Sequence, residues 1–211
     1  MIIALTKGRI EKAALGKMSE SGMDVSELTD KAQRGRKLIF SIPKTEYQII
    51  ISKPADVLTY VSRGIADIGV VGKDTLDEET DIGGYYEIAD LKTGICRFAF
   101  AAKVGTSDFF NSYESRVIAS KYPNVARKFF QSKGIDAEIV KIEGSVELAP
   151  ILGLADGIVD IVETGATLKA NGLEVVEDIS PISTRVIANR AGLKMRKSAI
   201  EGFVTKLTGG N

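Results

Sequence analysis

Short apolar runs alternate with segments of helical period along the whole chain, and no other feature constrains the fold as strongly. Ile2–Leu5, Tyr47–Ile51, Ile68–Val71, Phe98–Ala102, Val117–Ala119, Glu138–Ile142, Ile158–Val162 and Arg185–Ala188 are bounded by Gly, Asp or Pro and read as buried strands. Between them, Arg9–Ser21, Ala55–Arg63, Val125–Lys133, Val146–Leu154 and Ala166–Ala170 read as helices, and Arg196–Leu207 predicts a final one. Alternation of this kind predicts an α/β chain with mostly parallel sheets.

A faint internal repeat refines the expectation. Gly64-Ile65-Ala66-Asp67-Ile68-Gly69-Val70-Val71-Gly72 recurs as Gly157-Ile158-Val159-Asp160-Ile161-Val162-Glu163-Thr164-Gly165, both Gly-x-x-Asp-Ile-x-x-x-Gly. Each copy follows a candidate helix, which predicts two similar α/β lobes facing each other. The acidic stretch Asp74–Tyr86 is the weakest for order and marks an exit from the first lobe, and Asp178–Thr184 marks a second break. The expected division is therefore lobe I over 1–86 plus 184–211 and lobe II over 87–183, with ligand in the cleft where strand ends converge.

Composition removes whole classes of chemistry. Lys plus Arg (28) equals Asp plus Glu (28), so there is no basic excess for a nucleic acid, and an anionic ligand must be met by local clusters. The chain contains no histidine, which excludes Ser-His-Asp and Cys-His catalysis and imidazole metal ligands. The single cysteine, Cys96, reads as a small hydrophobe and suits a reducing cytosol. A metal, if used, would be a hard cation on carboxylates and substrate oxygens, for which Mg²⁺ fits best. The N-terminus has no signal-peptide pattern and no run approaches the ~20 apolar residues of a membrane span, so a soluble cytoplasmic protein is expected.

The sharpest local pattern is Asp160-Ile161-Val162-Glu163-Thr164-Gly165-Ala166-Thr167-Leu168, an apolar strand ending in carboxylates before Thr-Gly-x-Thr opens a helix. Backbone N–H groups at a helix start bind anions, Gly165 lets a phosphate come close, and Thr164 and Thr167 add hydroxyls. Asp160 and Glu163 can accept ribose hydroxyls or hold Mg²⁺ through water. An ordinary strand-to-helix turn with Thr as N-cap is the structural alternative.

This segment resembles the phosphoribosyl pyrophosphate loop of the ATP phosphoribosyltransferase family. Further stretches agree with that family in order: Lys7-Gly8-Arg9 after the first strand, Tyr60-Val61 with Gly64-Ile65-Ala66-Asp67-Ile68-Gly69, and Gly144-Ser145-Val146-Glu147-Leu148-Ala149-Pro150. Lys53-Pro54-Ala55-Asp56-Val57-Leu58-Thr59-Tyr60 resembles another family segment, with Lys53 where the family has a basic residue and Leu58 in place of proline.

The resemblance implies two lobes around a cleft, like the type II periplasmic binding proteins. It also implies attack of adenine N1 of ATP on C1 of phosphoribosyl pyrophosphate, with Mg²⁺ carried by substrate and no direct protein ligand. The expected form is short, acting as a homodimer within a hetero-octamer with a regulatory subunit resembling histidyl-tRNA synthetase. The phosphoribosyl pyrophosphate site would comprise Asp160, Glu163, Thr164, Gly165, Ala166 and Thr167. Lys7, Gly8, Arg9, Asp67 and Glu147 would bind ATP, with Lys7, Arg9 and Lys53 stabilising charge during transfer. From the residues themselves, Lys7 and Arg9 also suit a solvated pair, Asp67 a turn-forming aspartate, and Glu147 either a group orienting ribose or metal or a favourable first-turn acid. Arg34 and Arg36 complete the basic candidates. A solute-binding module of the same architecture, a single-lobe phosphoribosyltransferase and a silent subunit are the competing expectations. Single-lobe enzymes place two adjacent acids before Thr-Gly-x-Thr, whereas Asp160 and Glu163 are separated by Ile161-Val162.

Overall fold

The computed structural model describes residues 1–30, 34–79, 82–106, 109–111 and 115–209. Its strands are β1 (Ile2–Thr6), β2 (Ile39–Ser41), β3 (Gln48–Ser52), β4 (Ile68–Gly72), β5 (Tyr85–Asp90), β6 (Cys96–Lys103), β7 (Arg116–Ser120), β8 (Ala137–Lys141), β9 (Gly157–Val162), β10 (Leu173–Ile182) and β11 (Thr184–Asn189). Helices Arg9–Glu20, Pro54–Ser62, Pro123–Ser132 and Lys197–Thr208 lie close to their expected bounds. The helix expected over Val146–Leu154 shrinks to Leu148–Ile151, because Pro150 offers no N–H and Gly153 turns left-handed with φ +76.

Two compact units result: Met1–Gly94 with Ser183–Asn211, and Ile95–Ile182. The first unit runs to Gly94 and not to Tyr86, because Tyr85–Asp90 leaves the acidic stretch as β5 and pairs with β11. The second expected break, Asp178–Thr184, is largely strand: β10 runs to Ile182 and β11 starts at Thr184. Residues 31–33, 80–81 and 210–211 of the first expected lobe, and 107–108 and 112–114 of the second, lie outside the described residues.

The first unit's sheet has the order β2-β3-β1-β4-β11-β5 and the second's β10-β6-β9-β7-β8. In each, a parallel trio (β3-β1-β4, β8-β7-β9) is extended by antiparallel strands, β11 and β5 in one and β6 and β10 in the other. The sheets are therefore mixed, not mostly parallel: β11 and β6, the strands on which the chain enters each unit from the other, run against the trio, and β5 and β10 pair antiparallel to them. Apart from β2, the two sheets share one plan.

The duplication is present in a different register from the one the sequence suggested. Asp67 donates its N–H to the Ile2 carbonyl at 2.9 Å and accepts the Ile2 N–H on Oδ2 at 2.8 Å. Asp156, not Asp160, makes the matching pair with Val117, both bonds 2.8 Å. Gly64 and Gly153 precede them, each with positive φ (+73 and +76) at a helix end, so Gly64-Ile65-Ala66-Asp67 corresponds to Gly153-Leu154-Ala155-Asp156. Counting onward along β4 and β9, Asp160 corresponds to Val71, which is fully buried.

Each sheet is packed on both faces. Leu5, Met18, Phe40 and Phe203 belong to one cluster of the first unit, and Val57, Leu58, Val61 and Ile187 to another. In the second unit Phe100 lies with its ring centroid 4.5 Å from Phe109 and 5.3 Å from Phe130. Ala99, Val146, Ile158 and Leu168 fill the opposite face, which supports the segment carrying the site.

Candidate active site

The second unit holds a cavity of about 260 Å³ lined by Glu147, Asp160, Glu163 and the run Thr164–Leu168, together with Ile161 and Val162. β9 delivers these groups. Its first residues are buried in the sheet, Asp160 is half-buried near its carboxyl end, and Glu163 and Thr164 emerge exposed beyond Val162. Gly165 sits in the left-handed region with φ +78 and ψ 4, a conformation that costs a residue with a Cβ about 1–2 kcal/mol. That bend turns the chain into the helix Ala166–Ala170, whose Lys169 N–H bonds the Gly165 carbonyl at 3.0 Å.

The loop shows the local contact expected of a strand-to-helix turn. The Thr164 hydroxyl accepts the Ala166 N–H at 3.3 Å, as a local capping contact. The helix has only five residues, too short to contribute much dipole, so an anion at this loop would have to be met by backbone N–H groups and hydroxyls. Arg97, which sequence inspection passed over, steadies the loop: its NH1 donates to the Glu163 carbonyl at 3.5 Å and its Nε to Asp178 at 2.5 Å. Its only signal was a charge inside the apolar run Ile95–Phe100.

Burial pushes the Asp160 carboxyl above its ordinary range. A bond from the Ile161 N–H and the charge of Lys121 act against that shift, while Glu147 reinforces it. Two interacting carboxylates beside a polar loop suit a ligand rich in hydroxyls or bearing a cation. Glu147, expected with the ATP residues, thus belongs with Asp160 and the loop.

The first unit gathers a different set at the carboxyl ends of its parallel strands. Thr6 pairs with Ser52 in register, and the Lys7 N–H bonds the Ser52 carbonyl at 2.9 Å, so Lys7-Gly8-Arg9 lies beside Lys53. Lys7, Gly8, Arg9 and Lys53 are all exposed. Gly8 has φ +105 and ψ −128 and gives its N–H to Glu11 Oε2 at 3.2 Å. Buried Glu11 is held in turn by Arg34, so Arg34 shapes the turn; Arg36 is exposed. Asp74, also missed from sequence, joins this end: burial raises its carboxyl, while the N–H groups of Asp74 and Thr75 and the charge of Arg9 oppose the rise.

Asp67 stands elsewhere. It is at the amino ends of β1 and β4, and its Oδ2 also accepts Arg196 NH1 at 3.0 Å. The structure therefore separates it from Lys7, Gly8 and Arg9 and gives it the role of tying strands, the turn-forming alternative.

Residues 53–209 match the sequence pattern of the family described as ATP phosphoribosyltransferase. The chain belongs to the ATP phosphoribosyltransferase family. It is 53% identical over 205 residues to the ATP phosphoribosyltransferase of Clostridium kluyveri, covering 97% of this chain and 91% of that protein. The Listeria monocytogenes enzyme is 52% identical over 206 residues, covering 97% and 93%. Among solved structures, the ATP phosphoribosyl transferase (HisG:HisZ) complex from Thermotoga maritima has a chain 31% identical with a TM-score of 0.80, covering 100% of this chain and 98% of that one. The periplasmic aliphatic sulphonate binding protein SsuA from Escherichia coli, 13% identical with a TM-score of 0.64 and covering 100% and 72%, shares the fold alone. This ATP phosphoribosyltransferase family member thus has the two-lobed α/β fold of the type II periplasmic binding proteins. Among its described residues no helix is long and apolar enough to cross a membrane.

Proposed function

We propose that this chain transfers the phosphoribosyl group of phosphoribosyl pyrophosphate to N1 of the adenine of ATP, the first step of histidine biosynthesis. The observation that carries the proposal is the cavity in which Glu147 and Asp160 face the Thr164–Thr167 loop, at a position where the twin unit keeps Val71. A half-buried acid standing where the duplicate has a core valine is a cost to folding, which a ligand role explains.

The N1 lone pair forms the new bond to C1 as the C1–O bond breaks, with inversion, and the electron pair leaves on pyrophosphate. Adenine N1 attacks as a neutral nucleophile, so no general base is required, in keeping with a chain without histidine. The loop N–H groups with Thr164 and Thr167 hold the 5′-phosphate, and Asp160 and Glu147 orient ribose hydroxyls. These two carboxylates also fit Mg²⁺ held mostly by substrate oxygens, which would supply charge neutralisation at the leaving pyrophosphate. Lys7, Arg9 and Lys53 supply positive charge for the triphosphate, with Gly8 allowing close approach. Binding to a histidyl-tRNA synthetase-like regulatory subunit, as homodimers within a hetero-octamer in the cytoplasm, completes the proposal; the Thermotoga maritima HisG:HisZ complex supports such a partner.

Incubation with ATP, phosphoribosyl pyrophosphate and Mg²⁺ should yield pyrophosphate and phosphoribosyl-ATP, detected by mass spectrometry. Absence of product, with and without the regulatory subunit, refutes the proposal. Replacing Thr164 and Thr167 together by Ala should weaken phosphoribosyl pyrophosphate binding about 10-fold or more, at roughly 1 kcal/mol per lost hydrogen bond, and leave ATP binding unchanged.

A further inference from the structure

The cavity of the second unit has an unbalanced lining. Glu147, Asp160 and Glu163 contribute carboxylates, and among the described residues no lysine or arginine lines it. Arg97 reaches only the Glu163 carbonyl, and its Nε bonds Asp178. Lys169 lies in the last turn of the short helix and is not among the residues lining the cavity. A sugar carrying a phosphate and a pyrophosphate brings several negative charges to this place. Hydroxyls and amides satisfy its oxygens, and one Mg²⁺ on substrate oxygens would offset only part of the charge of the donor and three carboxylates, so a protein cation nearby would complete the balance.

Lys121 is placed to be that cation. β7 is the middle strand of the parallel trio, flanked by β8 and β9, and ligands of parallel sheets collect beyond the carboxyl ends of such strands. Its last residue, Ser120, pairs with Val159 on one side and Lys141 on the other. The next residue, Lys121, therefore lies level with Asp160 at the strand tips. Its charge acts on Asp160, opposite in sense to burial and to Glu147, and also on Glu143. Yet Lys121 is exposed and forms no ion pair among the described residues, because Glu143 is taken by Lys141 at 2.8 Å.

We infer that Lys121 binds a phosphoryl group of the donor substrate, closing the charge balance of a cavity whose own lining is acidic. The inference rests on the proposed use of this cavity by phosphoribosyl pyrophosphate, and the experiment separates the two. Full-length wild type, Lys121→Gln and Lys121→Arg are titrated calorimetrically with phosphoribosyl pyrophosphate in Mg²⁺, then with Mg-pyrophosphate and with ribose 5-phosphate. Lys121→Gln should weaken the intact donor roughly 10- to 100-fold, the usual worth of a hydrogen bond to a charged group. Lys121→Arg should recover most of that loss, and thermal midpoints should stay together because the residue is exposed. A loss confined to Mg-pyrophosphate assigns Lys121 to the leaving-group end, and one confined to ribose 5-phosphate assigns it to the 5′ end. Undiminished donor affinity in Lys121→Gln overturns the inference and leaves the proposed function standing. Failure of the arginine variant to recover affinity, with a lowered midpoint, marks a structural role and also overturns it. No donor binding by wild type sinks both.

Discussion

Asp160 offers a test in which stability and activity should move in opposite directions. Its carboxyl is raised above its ordinary value of 3.8, first by burial and further by Glu147, so the native state binds a proton more tightly than the unfolded chain. The sign follows: stability falls as pH rises from 3.8 through the raised value, and is flat above it. Asp160→Asn removes the charge at nearly constant shape. Discounted for the solvent the site retains, relief of one such charge beside a like charge is worth about 1 kcal/mol, or about 2–4 °C in Tm for a chain of this length. Activity should suffer in return. Each ribose hydroxyl bond to a charged acceptor is worth about 1.5–3 kcal/mol, so kcat/KM should drop roughly 10- to 150-fold per bond lost. Thermal melts of both proteins at steps from pH 4 to 8 read the first effect and steady-state kinetics the second. The melting advantage of the asparagine variant should shrink toward low pH. A variant that melts below wild type at neutral pH, or a gap that ignores pH, would show that the carboxylate is a structural acceptor.

Two further outcomes test the remaining assignments. Asp67→Ala, which strips the acceptor of the Ile2 N–H and of Arg196, should lose about 1–3 kcal/mol of stability in urea titrations while KM for ATP stays put; a raised KM would return Asp67 to the ATP site. Gly157→Ala would place its Cβ 2.5 Å from the Phe100 ring and 2.9 Å from the Ala101 carbonyl, so overpacking should cost about 1–3 kcal/mol by the same titration; an unchanged midpoint would refute the tight packing of β9 on β6.

How much of this was legible beforehand depended on what kind of physics wrote each element. Strands buried on both faces, such as Ile68–Gly72, announce themselves as apolar runs and were found. β10 did not: its Glu174, Glu177, Asp178 and Pro181 are tolerated because it is an edge strand with two register shifts, and periodicity has nothing to detect there. β5 is likewise a half-exposed edge, and β2 has only three residues. The strand-to-helix loop was readable because its residues are contiguous, and Asp160 to Thr167 line one cavity. The proximity of Glu147 to Asp160 could not be read beforehand, since it exists only once β9 and the Leu148–Ile151 turn are packed together. Arg97 and Asp74 were invisible for the same reason: each acts through a neighbour distant in sequence or through burial. The faint repeat misled in register, because Gly-x-x-Asp-Ile matched by letters where Gly-x-Ala-Asp matched by hydrogen bonds.

The paired aspartates at the amino ends have a consequence for how such a chain can change. Asp67 and Asp156 make one identical fastening, each clasping the first strand of its own trio, and that fastening sits at the opposite end of the sheet from every group given a chemical task. Substitutions at the far tips are therefore buffered from the frame. A valine in one copy and an acid in the other occupy the same address without altering the strand order beneath them, so the strand tips can differ in charge and shape while the frame stays the same.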